Sequence, residues 1–402
     1  MAHDVSFFRA NRAGLATELE GGLIVLTGYA EMQRRADQAF LFEQESNFWY
    51  LTGISAPNWK VVYDGLRHHT WLVRPKLSEV ERIFSGEADS TALREQSGAD
   101  EVIDEADLEQ LLRQLKRTHG AAYTITPEPA DRYSFVQNPA PKQLTRLLER
   151  NFPSVNDCKA EIARLRAIKQ PNEIQAIERA VKLTVEAFES IHDTFDSVRY
   201  EYDIEAVATN IFRRNGVYHA YDPIVGTGKN ACTLHYIANH DRLRKKQLVL
   251  CDIGASYDGY AADITRTYAY GEITKRQQAV MDALAQAQKA IIRLIKPEVT
   301  FVSYIEQTDQ IMAEALRSLG FSGDDTRDLV YRYMPHAVSH GLGIDVHDSL
   351  GGYKEFRPGM VLTVEPGIYL HDEAIGTRIE DDILVTESGH RVLSARLASD
   401  PS

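Results

Sequence analysis

Residues 251–267 read CDIGASYDGYAADITRT. Two apolar segments flank Asp258-Gly259, a dipeptide that closes two-residue β-hairpins because both positions accept a positive φ. With the turn there, Tyr257 pairs with Tyr260, Gly254 faces Asp263, and Asp252 lies two positions further along its strand. Side-chain alternation then puts Asp252 and Asp263 on one sheet face, and a one-residue shift of the turn would set them directly opposite each other. In either register the two carboxylates converge. At about 4 Å and an effective dielectric near 20 they repel by roughly 4 kcal/mol, so the pair needs a cation, a shared proton or separation into solvent.

Three further segments downstream carry groups of the same kind. MPHAVSHGLGIDVHD, residues 334–348, holds His336, His340 and His347 among small residues that let backbone approach closely. The four-residue spacing of His336 and His340 would suit one helical face, but no Glu follows His336 and Gly341 and Gly343 weaken a helix, so the zincin pattern is absent. Glu365 in VLTVEPGIY and Glu380 in TRIEDDILV each stand in an otherwise apolar strand segment, where an unpaired charge is expensive to bury. A salt bridge from Arg378 offers a purely structural account of Glu380, and Asp381 and Asp382 read as solvated. Taken together, Asp252, Asp263, His340, Glu365 and Glu380 are four carboxylates and one imidazole. That set suits two divalent ions such as Mn²⁺, Co²⁺ or Zn²⁺, whose charge balances the four acids.

Outward from these segments the chain falls into two parts. Residues 1–157 alternate short apolar strands (GGLIVLTGY, FWYLTGI, TWLVRP, AAYTIT) with charged helical stretches such as DLEQLLRQLKRT, the pattern of a small α/β domain. NFPSVNDC, residues 151–158, has connector chemistry and marks the boundary. Residues 158–402 open on a long helical stretch restarted at Gln170-Pro171-Asn172-Glu173. Strands follow at QLVLCDIGA and YAADITRTYAY, then helices over about 274–295 and 301–319, and final strands at GMVLTVEPGIYL and TRIEDDILVT. The expected class is α+β. RLRKK, residues 242–246, reads as a solvated loop.

Composition narrows the function. The 402 residues hold 58 acidic against 45 Lys and Arg side chains, a formal charge of -13. A body this acidic repels phosphate backbones, so neither nucleic acid nor an anionic membrane surface is an expected partner. Asp4, Arg9 and Arg12 interrupt the start where a secretory leader needs an apolar run, and no stretch reaches the ~20 apolar residues of a membrane span. Cys158, Cys232 and Cys251 are too few and odd in number for a disulfide framework, and they read as structural thiols of a cytoplasmic protein.

The order Asp252, Asp263, His340, Glu365, Glu380, in the contexts quoted, resembles the pita-bread metallopeptidases, specifically aminopeptidase P and prolidase. The likeness extends over about 160–395, including IVGTGKNACTLHY at 224–236, and FLFEQESNFWYLTG at 40–53 resembles the amino-terminal domain of aminopeptidase P. It implies a pita-bread catalytic domain after the small α/β domain and two divalent ions, manganese first. Asp252 would chelate one ion, Asp263 and Glu380 bridge both, and His340 with Glu365 complete the second. The resemblance also makes Glu365 the proton carrier. His235 and His347 would stabilise the tetrahedral intermediate and substrate, His336 would lie beside the penultimate proline, and Tyr369 and Arg378 would tune bridging carboxylates by hydrogen bonds.

The substrate so implied is a peptide with proline at position two, cleaved after its first residue, and the protein a homo-oligomer, dimer or tetramer. An Xaa-Pro dipeptidase is the alternative. Prolidases usually place an Arg between the counterparts of His347 and Pro358. Here that stretch, DSLGGYKEFR, offers only Lys354 and Arg357, which favours the aminopeptidase. An inactive peptide-binding module and a metal-free creatinase-like hydrolase would both require the donor positions to be replaced, and all five keep ligand chemistry.

Overall fold

A computed structural model describes residues 3–127 and 135–397. It divides into two compact units, His3–Leu165 and Arg166 onward, the division falling inside the helix Lys159–Ala167.

The first unit is built on a mixed six-stranded sheet in the order Glu101–Asp104, His69–Arg74, Lys60–Asp64, Leu23–Thr27, Ala121–Thr124, Ser154–Asp157. Leu23, Val25, Val62, Val73 and Ala122 face Leu112 and Leu148 of two amphipathic helices, Leu108–Leu115 and Ala140–Asn151, to form one core. Two sequence expectations fail here. FWYLTG forms a helix, Ser46–Thr52, rather than a strand. Glu45 caps it by accepting from Phe48 N at 2.6 Å, and Gly53 ends it at φ 69°. An aromatic run suits a buried helix as well as a strand, and the caps decide. The second failure is the connector: Ser154–Asp157 pairs in parallel with Ala121–Thr124 as the sheet's edge strand.

The second unit wraps long helices around several small antiparallel sheets. One sheet orders Ile224–Thr227, Gln247–Ile253 and Ile264–Tyr270, another Val361–Val364, Asp381–Val385 and His390–Val392, and Gly367–Leu370 pairs with Ile375–Arg378. The expected helix starts are present. Glu173 Oε2 accepts from Gln170 N at 2.8 Å ahead of Pro171–Thr194, and Thr274 and Thr300 cap Lys275–Ile292 and Phe301–Ser318. Apolar faces of the last two helices pack on Leu362, Val364 and Ile383.

The turn at Asp258-Gly259 also forms, with φ 48° and 83° and Tyr257 opposite Tyr260. The same register carries through to Asp252 opposite Thr265. Between these paired regions the chain switches sheets at Gly254, where a Cβ would come within 1.9 Å of the Ala262 carbonyl oxygen. Only glycine fits there.

Asp381 and Asp382 are buried, contrary to their reading as solvated. Asp381 accepts from Arg266 Nη2 at 2.7 Å, Gln288 Nε2 at 2.6 Å and Ser394 Oγ at 2.5 Å, so its charge is paired and its lone pairs are used. Removing one partner of such a pair strands the other in low dielectric. Asp381→Ala is therefore expected to cost about 3 kcal/mol, read from the urea midpoint with chelator present in both proteins. A loss under about 1 kcal/mol would show the network to be dispensable.

Candidate metal centre

Three of the acidic candidates stand where one strand ends and the next joins a different sheet. Asp263 lies between Tyr260–Ala261 and Ile264–Tyr270, Glu365 between Val361–Val364 and Gly367–Leu370, and Glu380 between Ile375–Arg378 and Asp381–Val385. The sequence reading placed Glu365 and Glu380 inside strands; the structure puts them at interruptions. A residue freed from a ladder can turn its side chain inward while its neighbours stay paired. Cross-links hold the breaks together: Glu380 N donates to Thr265 O at 3.1 Å, Glu365 N to Val338 O at 2.9 Å, and Asp263 N to Asp382 Oδ2 at 3.2 Å.

Asp252 and Asp263 do converge. The Tyr221 hydroxyl lies 2.5 Å from Asp252 Oδ1 and 2.7 Å from Asp263 Oδ1, spanning the pair. Nothing in the local sequence of Tyr221 announces this contact, and the sequence reading missed it. His340 Nε2 lies 3.5 Å from Asp263 Oδ2 and 3.3 Å from Glu365 Oε1. Ligand atoms of Asp263, His340 and Glu380 all fall within 4.8 Å of one another. The five donors thus gather on one site.

Arg378 does not pair with Glu380. Its Nη2 binds Asp252 Oδ2, its Nη1 donates to Tyr369 Oη at 2.9 Å, and its Nε donates to Thr265 Oγ1 at 3.1 Å. Thr265 Oγ1 in turn donates to Glu380 Oε2 at 2.7 Å. Tyr369 Oη is 3.0 Å from His336 Nε2, while His336 Nδ1 lies 2.8 Å from Ala337 O and 3.6 Å from Glu365 Oε2. One guanidinium therefore links Asp252, Glu380 and, through Tyr369, His336.

His336, His340 and His347 lie on a loop, not on a helix. Asp348 fastens that loop. Its carboxylate takes Arg166 Nη2 at 3.0 Å and Lys169 Nζ at 3.5 Å, and its N–H donates to Gly341 O at 2.8 Å. The His340 and His347 rings meet edge-on at 4.3 Å between centroids. His235 stands exposed on the loop after Ile224–Thr227; burial first, and His235 nearby second, lower the basicity of His347.

The charge state follows from burial. Asp263 and Glu380 are held well above the usual carboxylate range by desolvation and by neighbouring acids, and burial lifts Glu365 to about 8. Desolvation lowers His336 and His340 to about 4, so both are neutral. His340 Nδ1 lies 3.0 Å from Gly341 O; with the proton on Nδ1 donated to that carbonyl, the Nε2 lone pair faces the acids. Buried acids short of cations, with a neutral imidazole aimed at them, fit divalent metal. Asp252, Asp263, His340, Glu365 and Glu380 are the side chains that would hold it.

Among known families, the profile of metallopeptidase family M24 matches residues 175–387, and that of the aminopeptidase P amino-terminal domain matches residues 8–123. The chain is 32% identical to Xaa-Pro aminopeptidase of Escherichia coli strain K12 over 98% of this chain and 95% of that protein. It is 30% identical to Xaa-Pro aminopeptidase of Haemophilus influenzae over 92% and 90%. The crystal structure of E. coli aminopeptidase P in its low-pH form superposes with a TM-score of 0.88 at 29% identity, over 99% of this chain and 97% of that one.

The raised carboxylates give stability a direction with pH. Glu365 rises from an ordinary 4.5 to about 8, so the folded state holds its proton at pH values where the unfolded chain has lost it, and stability falls as pH rises across that interval. The depressed histidines act oppositely but only below about 6.5, their unfolded value. Chelated protein is expected to lose roughly 2 kcal/mol between about pH 6.5 and pH 8.5, less with divalent metal present. Urea titrations at the two pH values read this, and equal midpoints would exclude it.

Proposed function

The chain belongs to metallopeptidase family M24, and from that membership we propose that it is a Xaa-Pro aminopeptidase, releasing the first residue of peptides whose second residue is proline. The observation that carries the reading is the convergence of Asp252, Asp263, His340, Glu365 and Glu380 on one buried site. We assign two divalent ions to it, manganese first and then cobalt or zinc, which Asp252, Asp263, His340, Glu365 and Glu380 would hold. Such ions, when bound, lower the pKa of water and polarise the scissile carbonyl.

The side chains do the rest. Glu365 lies with Oε1 3.3 Å from His340 Nε2 and Oε2 3.6 Å from His336 Nδ1, and is the carboxylate we assign to accept and return a proton. It takes the proton of the attacking water and gives it to the departing proline nitrogen. His235 and His347 hydrogen-bond the carbonyl oxygen as it becomes tetrahedral and steady the substrate. His336, kept neutral and oriented by Tyr369, borders the proline ring, and Arg378 fixes Tyr369 and Asp252 together. Proline's tertiary amide and fixed ring fit a general peptidase cleft badly, which makes a dedicated pocket sensible.

No helix among the described residues is long and apolar enough to cross a membrane. The reading extends to a reducing, cytoplasmic setting, which the free and buried Cys158, Cys232 and Cys251 suit. It extends also to a homo-oligomer, supported by Val80, Ile83 and Phe84, exposed together on the helix Glu79–Ser85.

Chelation is expected to abolish turnover and Mn²⁺ to restore it. Glu365→Gln should lower kcat by about 10²- to 10⁴-fold with KM little changed, and full turnover in either case would defeat the mechanism. Chain-length preference is read by comparing release of the first residue from Xaa-Pro and from Xaa-Pro-Yaa-Zaa on Mn²⁺-loaded protein. The longer peptide should be preferred; strong preference for the dipeptide would make the protein a dipeptidase.

A further inference from the structure

Residues 228–246 connect the strand Ile224–Thr227 to the strand Gln247–Ile253 and contain no strand, only a short turn of helix at Asn230–Cys232. His235 stands in this loop, and among the described residues none hydrogen-bonds its ring. Its place is therefore set by the backbone that carries it, and a loop this long needs an internal anchor to hold one conformation.

Glu201, the first residue of the helix Glu201–Arg214, supplies that anchor. Its side chain is fully buried, at 0% exposure. Oε1 accepts from Thr227 N and Thr227 Oγ1, both at 2.9 Å, and from Asn230 Nδ2 at 3.1 Å. Oε2 accepts from the Tyr236 hydroxyl and from Asp241 N, both at 2.9 Å. The donors lie before His235, beside it and after it, so a single carboxylate gathers both arms of the loop. All five donors are neutral, unlike the cation pairs that hold Asp348 and Asp381. The backbone closes the same knot, with Glu201 N donating to Asp241 O at 3.0 Å and Leu243 N to Arg199 O at 2.9 Å.

We infer that Glu201 is a positioning residue that presents His235 to the reacting peptide by tying the 228–246 loop through its buried carboxylate. The inference rests on the assignment of His235 above. Glu201→Gln turns one oxygen into an NH₂ group facing donors, which opens one arm of the knot. Tyr236→Phe removes the single donor adjacent to His235 and leaves Glu201 its other four. Displacing a reacting partner by about 1 Å costs on the order of 10²-fold in rate.

The test compares the wild type, H235A, E201Q, Y236F and the two double variants with H235A, all Mn²⁺-loaded, on an Xaa-Pro-Yaa-Zaa peptide. Bound metal per chain and hydrogen exchange of residues 228–246 are measured alongside. E201Q should lower kcat by roughly ten- to hundredfold and Y236F by less. In both, metal content should be unchanged and exchange in the loop faster. Added to H235A, either should cost no more than about twofold, because the group they position is already gone. Losses that multiply in the double variants, or metal lost from E201Q, would overturn the inference. So would normal kcat in a folded E201Q beside an impaired H235A, and this outcome would leave the assignment of His235 standing. A fully active H235A would instead sink that assignment, and the inference with it. Should E201Q fail to fold, Y236F decides by the same comparison.

Discussion

Acid groups crowded out of water govern this molecule. One tyrosine hydroxyl spans Asp252 and Asp263, and Glu365 and Glu380 lie in the same dry space, where like charges and lost hydration both press protons onto the carboxylates. Arg378 brings a cation into the group, on Asp252. Protons offset such a cluster in the bare chain and divalent metal replaces them, so its affinity must rise as the protons leave. The arrangement that destabilises the bare fold at high pH is thus the one that makes it a metal site.

The fold meets this demand by interrupting its strands. Asp263, Glu365 and Glu380 each occupy a junction between two sheets, so the same chain breaks that divide the sheets also free these acids from the ladders. Beside them Asp381 is a buried charge whose partners are in place: Arg266, Gln288 and Ser394. The donor cluster is left short of cations and Asp381 is not. Such a difference separates a site that binds from a network that only supports.

The loop histidines are held differently from the acids. Asp348, clamped by Arg166 and Lys169, closes the turn that sets His347 against His340. Glu201 closes the loop of His235 with neutral donors alone. On the reading proposed above these histidines meet the peptide from loops, and buried carboxylates under the loops supply the rigidity that strands would have given.

Local chemistry was enough to read much of this from the chain. The Asp258-Gly259 turn fixes its own register, and with it the approach of Asp252 to Asp263; the helix starts at Gln170 and Thr274 are written in their caps; Glu365 and Glu380 announce themselves as charges in apolar surroundings, and His340 as one of three histidines among small residues. The order and flanks of those donors carried the family. The sequence misleads where two structures share one composition: FWYLTG is a helix because Glu45 and Gly53 cap it, and Asp381 and Asp382 read as solvated because nothing nearby shows Arg266 and Gln288 arriving at the first or the Asp263 N–H at the second. Tyr221 across the aspartates, Arg378 on Asp252 rather than Glu380, and Glu201 under the His235 loop were beyond any reading of the chain alone. Local propensity depends on neighbours in sequence, whereas the partner of a buried charge is chosen by which distant segments the packed core brings within a few ångströms.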